Sequence, residues 1–156
     1  MQSSRPRIEV SVEKQLLRLL DGEKVLAEYP VSTAKRGVGT EEGSLKTPTG
    51  QFEIGEKVGD GAAPGTIFVG RKPAGSWCAE DAEDPGRGDL VLSRILWISG
   101  IEPENANTRD RYIYIHGTNQ EGLIGQPASE GCIRMLNADV VDLFDRVPVR
   151  TPVSIA

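Results

Sequence analysis

Imidazole and thiol groups are scarce in this sequence: histidine occurs once, at His116, and cysteine twice, at Cys78 and Cys132. So few nitrogen and sulfur donors argue against a His/Cys metal centre, and neither a metal nor a cofactor is expected. Two cysteines make no disulfide framework, and in a reducing compartment both are expected as thiols. Positive charge is also thin. No basic run exceeds two residues, and the net charge is −5. A nucleic-acid partner needs a concentrated basic face, so that class is excluded. Long apolar runs are missing too, since Leu16, Leu17, Leu19 and Leu20 are interrupted by Arg18 and preceded by Lys14. Nothing reads as a signal peptide or a membrane span. Read as given, the protein is expected to stay in the cytoplasm. The periplasm is the alternative if a leader has been removed.

What remains is an ordinary globular composition, 38% apolar and 26% charged, over 156 residues. That length fits one domain with a real core. No repeat, linker or low-complexity segment divides residues 1–156.

The pattern is mostly β. Ile8, Val10 and Val12 alternate with Glu9, Ser11 and Glu13, as in a half-buried strand. Gln15 to Leu20, the Asp21-Gly22 turn and Val25 to Val31 read as a hairpin. Thr47-Pro48-Thr49-Gly50 is a turn feeding Gln51-Phe52-Glu53-Ile54. Gly55 to Gly65 and Lys72 to Asp89 read as long loops around a short strand, Thr66 to Val69, and the sequence is silent on whether the second loop acts as a lid. Leu90 to Ser99 and Tyr112 to Ile115 are apolar strands, and Pro148 to Ile155 a closing one. Only Asn137 to Arg146 looks helical, with Asn137 as its cap and Val140, Leu143, Phe144 and Val147 on one face.

His116 ends an apolar strand, and Cys132 follows a Gly- and Pro-containing loop that can turn back toward it. A thiol needs a base or an imidazolium partner to act as thiolate near neutral pH, and this chain offers one imidazole. Gly131 lets backbone approach a substrate, and the N–H groups of Gly131 and Cys132 are candidate oxyanion donors. From these residues alone, a core-edge histidine and a structural buried cysteine remain open.

The run from His116 to Arg134 resembles the active-site motif of the L,D-transpeptidase family, the YkuD-type catalytic domain. That motif reads His-Gly, a spacer, then Ser/Thr-His-Gly-Cys, a hydrophobic residue, and Arg or Asn. Here the matching residues are His116-Gly117, Ser129, Gly131-Cys132, Ile133 and Arg134. Val31-Ser32-Thr33, Thr47 to Phe52 and the terminal strand fall in family order, so the similarity covers nearly the whole chain. Glu130 stands where the motif has His. A carboxylate about 7 Å from the thiol would cost the thiolate on the order of 2 kcal/mol, unless it is turned away or neutralised.

The resemblance implies a mainly β fold, a β-sandwich of mixed sheets with one short helix near the C-terminus. It implies a Cys132 nucleophile and His116 as base, then acid. The substrate would be a peptidoglycan tetrapeptide stem, cut between meso-diaminopimelate and D-Ala through an acyl-enzyme. Arg134 would hold a substrate carboxylate or buttress the loop. Ser129, Gly117 and Tyr114 would sit at the substrate, with Trp97 lining the cleft or the core, and carbapenems would acylate the same cysteine. A cytoplasmic enzyme favours hydrolysis of soluble muropeptides in wall recycling. The alternatives are 3→3 crosslinking or protein attachment in the periplasm, and a stem binder silenced by Glu130.

Overall fold

The computed structural model describes residues 5–78 and 88–156. In chain order it contains β1 (Pro6–Ser11), β2 (Leu16–Asp21), β3 (Lys24–Ser32), β4 (Gly50–Val58), β5 (Thr66–Val69), β6 (Lys72–Ser76), β7 (Val91–Gly100), β8 (Tyr114–Gly117), β9 (Ile133–Met135), α1 (Asn137–Arg146) and β10 (Pro152–Ile155). The mainly β reading with one short helix near the C-terminus therefore stands. The mixed sheets join into one: the order is β4-β10-β1-β2-β3-β9-β8-β7, and β4 also pairs with β7. Eight strands thus close into a barrel-like sheet, with the β5–β6 hairpin carried on β7.

Alternation in the sequence explains which face closes inward. Ile8 and Val10 on β1, Leu17 and Leu19 on β2, Phe52 and Ile54 on β4, and Leu96 and Ile98 on β7 are all buried in one core. Their neighbours in sequence point outward, as the two-residue period of a strand requires. Helix α1 packs on β7 and β8 and adds Val140, Leu143 and Phe144 to that core.

Several expectations shift. Asn137 does not cap α1, because Leu136 occupies the N-cap and makes no side-chain cap bond. The Glu121 carboxylate instead accepts the Asn137 N–H at 2.9 Å, and Lys57 Nζ donates to the carbonyls of Phe144 and Val147 at the other end. Both helix ends are thus satisfied by distant residues. Gly55 to Val58, read as loop, belongs to β4, and Lys72 to Ser76 forms β6. Residues 79–87 of the second long loop lie outside the described residues. Tyr112 is left-handed (φ 57°), so β8 begins only at Tyr114. Strand β9 had no signature, being three residues directly after the candidate nucleophile.

Candidate active site

The site grows from the parallel pair β8–β9, whose register sets Ile115 beside Ile133 and His116 beside Arg134. Ile115 and Ile133 are core residues. By alternation, Tyr114 and His116 on β8, and Cys132 and Arg134 at β9, share the opposite face. Cys132 is thereby placed next to Tyr114, whose N–H donates to Sγ at 3.3 Å. The thiol in turn donates to the Tyr112 carbonyl at 3.5 Å. His116 follows one pleat further along the same face.

His116 is buried, and its Nδ1 lies 2.5 Å from the Gly117 carbonyl. A carbonyl only accepts, so Nδ1 carries the proton and Nε2 keeps its lone pair. Gly117 has to be glycine. A Cβ there would lie 2.3 Å from Asn137 Oδ1 and 2.8 Å from the Leu92 carbonyl. Asn137 fills that space because it bridges the elements, accepting from Ser93 Oγ and donating to the Thr118 carbonyl.

The nucleophile loop is held from behind. Ser129 Oγ donates to the Cys132 carbonyl at 2.6 Å, and Thr47 Oγ1 donates to the Gly131 carbonyl at 2.9 Å. The Thr33 carbonyl accepts from the Ala128 and Ser129 N–H groups. These bonds give Thr33 and Thr47 their purpose in the motif order. Gly131 sits at φ 126°, where L side chains are strained. Its N–H, expected to face an oxyanion, donates instead to Ser129 Oγ at 3.2 Å, because the loop folds over its own serine. Ser129 is buried and serves this loop.

Arg134 needs correction as a substrate ligand. Its side chain is 0% exposed, paired with Asp89 at 3.2 Å. It also donates to Gln120 Oε1 at 2.6 Å and Ser32 Oγ at 3.2 Å. A guanidinium enclosed in this way buttresses β8, β9 and the loop after β8. Gly117, likewise buried, orients His116. Tyr114 packs edge-on to Trp97 with centroids 5.6 Å apart, and its hydroxyl accepts from Arg71. Glu130 is exposed between buried Ser129 and buried Gly131. A solvent-facing position tolerates many side chains.

Electrostatics favour the neutral forms of both Cys132 and His116. Burial pushes the Cys132 thiol up to about 11. The Tyr114 N–H, Arg134 and Arg111 pull it down, while Asp89 raises it further. Burial holds His116 below its ordinary value, opposed by Asp89 and the Gly117 carbonyl and reinforced by Arg134. Among the described residues the carboxylate acting on the thiol is Asp89, which the sequence did not single out. It accepts from Thr118 Oγ1 at 2.7 Å while pairing with Arg134. Arg71 was missed as well; its signal was the Gly70-Arg71 pair between two short strands. Among the described residues no cluster of metal-binding side chains occurs.

The model of the YkuD L,D-transpeptidase catalytic domain matches residues 5–155. A YkuD protein of Bacillus licheniformis, bearing a provisional L,D-transpeptidase name, is 31% identical over 149 residues, covering 96% of this chain and 64% of its own. The Bacillus subtilis YkuD protein is 30% identical over 148 residues, with 95% and 64% covered. The chain therefore spans less than two thirds of these relatives. Among solved structures, an L,D-transpeptidase from Mycobacterium smegmatis superposes with TM-score 0.63 at 15% identity, covering 99% of this chain and 59% of that one. L,D-transpeptidase 3 of Mycobacterium tuberculosis, in complex with a faropenem-derived adduct, gives 0.62 at 13% identity, with 98% and 60% covered. At such identities the structures show the shared fold.

Proposed function

The chain belongs to the L,D-transpeptidase catalytic-domain family, and from that premise we propose that Cys132 forms an acyl-enzyme with a peptidoglycan stem peptide. The observation that carries this reading is the His116 ring. With Nδ1 fixed on the Gly117 carbonyl, Nε2 is the proton acceptor on the face that also bears the thiol. Sγ attacks the carbonyl carbon between meso-diaminopimelate and D-Ala while Nε2 takes the thiol proton. Collapse of the tetrahedral intermediate returns that proton to the leaving D-Ala amine and leaves a thioester. Because thiol and imidazole are both neutral at rest, the proton moves as the bond forms, with no standing thiolate. The backbone N–H of Cys132 remains the oxyanion donor of this proposal.

Water is the proposed acceptor. It needs no second stem-binding surface, and His116 can take its proton as it attacks the thioester. The enzyme would then trim soluble muropeptides in the cytoplasm as an L,D-carboxypeptidase. Incubation with disaccharide tetrapeptide, followed by mass analysis, tests this reading. Loss of one D-Ala supports hydrolysis, and a dimeric product replaces it with crosslinking. An intact tetrapeptide that still binds the protein leaves the silent binder, which the neutral resting thiol also fits. By analogy with a solved L,D-transpeptidase of the same fold in complex with imipenem, a carbapenem is expected to add to Cys132.

A further inference from the structure

Strands β5 and β6 are joined through Gly70-Arg71, since Val69 pairs with Lys72. Both turn residues have positive φ, 57° and 67°. Such hairpin turns favour Asn-Gly, and a long side chain held left-handed is strained by about 1–2 kcal/mol. The Arg71 side chain folds back over the aromatic group beside the thiol. Its Cζ lies 4.7 Å from the Trp97 ring centroid and 5.5 Å from that of Tyr112, and Nη1 donates to the Tyr114 hydroxyl at 3.2 Å. Trp97 and Tyr112 stack with centroids 5.8 Å apart, and Arg109 lies over Trp97 at 4.4 Å. Two guanidiniums therefore meet on one indole, with Glu56 paired to Arg109 at 3.2 Å. Among the described residues one positive charge remains on this platform, in a chain whose net charge is −5. Tyr114 links the platform to the nucleophile, holding Sγ with its N–H and Arg71 with its hydroxyl.

We infer that Arg71 is a specificity-determining residue that clamps a carboxylate of the acyl donor next to the bond Cys132 attacks. A guanidinium carries several N–H donors in a planar fork suited to carboxylate, and Tyr114 takes one of them. The role fits here because Arg134, the arginine in the motif, is enclosed by Asp89, Gln120 and Ser32. The inference rests on the stem-peptide reading for the identity of the ligand. A stem carries two carboxylates near the scissile bond, one on the leaving D-Ala and one on the diaminopimelate centre.

The first test does not depend on turnover. Full-length protein is alkylated with N-iodoacetyl-D-alanine and with its neutral amide, and peptide mapping separates Cys132 from Cys78. The acid-to-amide rate ratio at Cys132 is expected to fall on the order of 10-fold in Arg71→Gln and to be largely kept in Arg71→Lys. An unchanged ratio in Arg71→Gln overturns the inference, as does an equal fall in Arg71→Lys. The second test uses tetrapeptide stems amidated at one carboxylate or the other. The stem whose turnover no longer depends on Arg71 identifies the carboxylate held. If no stem turns over in the wild-type protein but the alkylation ratio still depends on Arg71, the stem reading falls and the carboxylate clamp stands.

Discussion

In the proposed reaction Cys132 is the nucleophile and His116 the base, and their resting states are set by what surrounds them. The thiol is packed beside Tyr114 and pushed up to about 11, and the imidazole is held neutral by burial. An unliganded thiol of this kind reacts only through its small thiolate fraction. The Cys132 alkylation rate by iodoacetamide is therefore expected to climb steadily from pH 7 to beyond 9, roughly tenfold per unit. A plateau near pH 7 would show a standing thiolate–imidazolium pair instead. At this scale the sequence was informative about identity and silent about environment. The Gly-Cys and His-Gly pairs drew attention to Cys132 and His116, and the resemblance of the wider run implied their roles. That Arg134 is enclosed, that Glu130 faces solvent and that Asp89 supplies the nearby charge depend on contacts across the chain, which no local pattern encodes.

At the scale of elements, the short parallel pair β8–β9 does the positioning. The apolar alternation around Ile115 foretold one strand, whereas β9 is three residues long and gains its definition from β3 and β8 on either side. The helix was legible from its apolar face, but not its caps, because Glu121 and Lys57 arrive from elsewhere. Gly117 is where strand, helix and base meet. In Gly117→Ala the new methyl must displace the Leu92 carbonyl as well as Asn137. A loss of about 1–3 kcal/mol is expected, read as a lower denaturant midpoint, and D-Ala release should fall further than stability alone explains because the Gly117 carbonyl aims the imidazole. Retained stability and activity would remove Gly117 from this role.

For the whole molecule, closure of eight strands into one sheet makes the site a feature of the outer face over a common core. The sequence announced strands and a single domain; closure follows from β4 pairing on both edges, a long-range fact that alternation does not record. The fold also couples stability to the base. His116 titrates near 6.5 when unfolded but resists protonation when buried. As pH falls below about 6.5 the unfolded chain binds the proton first, so stability drops, by at most about 1.4 kcal/mol per unit from this group. The denaturant midpoint should therefore decline from pH 7 to 5.5, less steeply in His116→Gln; identical slopes would show that another group governs this window. Asp139, raised by burial and by Asp142 and Glu121, acts in the opposite sense at lower pH. Every step of the proposed reaction depends on His116 letting Cys132 become acylated by a stem peptide. Its most direct measurement is acid-quenched peptide mapping of the protein during turnover of disaccharide tetrapeptide. An acyl mass is expected on the peptide containing Cys132 and none in His116→Asn, whereas D-Ala release from a Cys132→Ala protein would rule out the Cys132 acyl-enzyme.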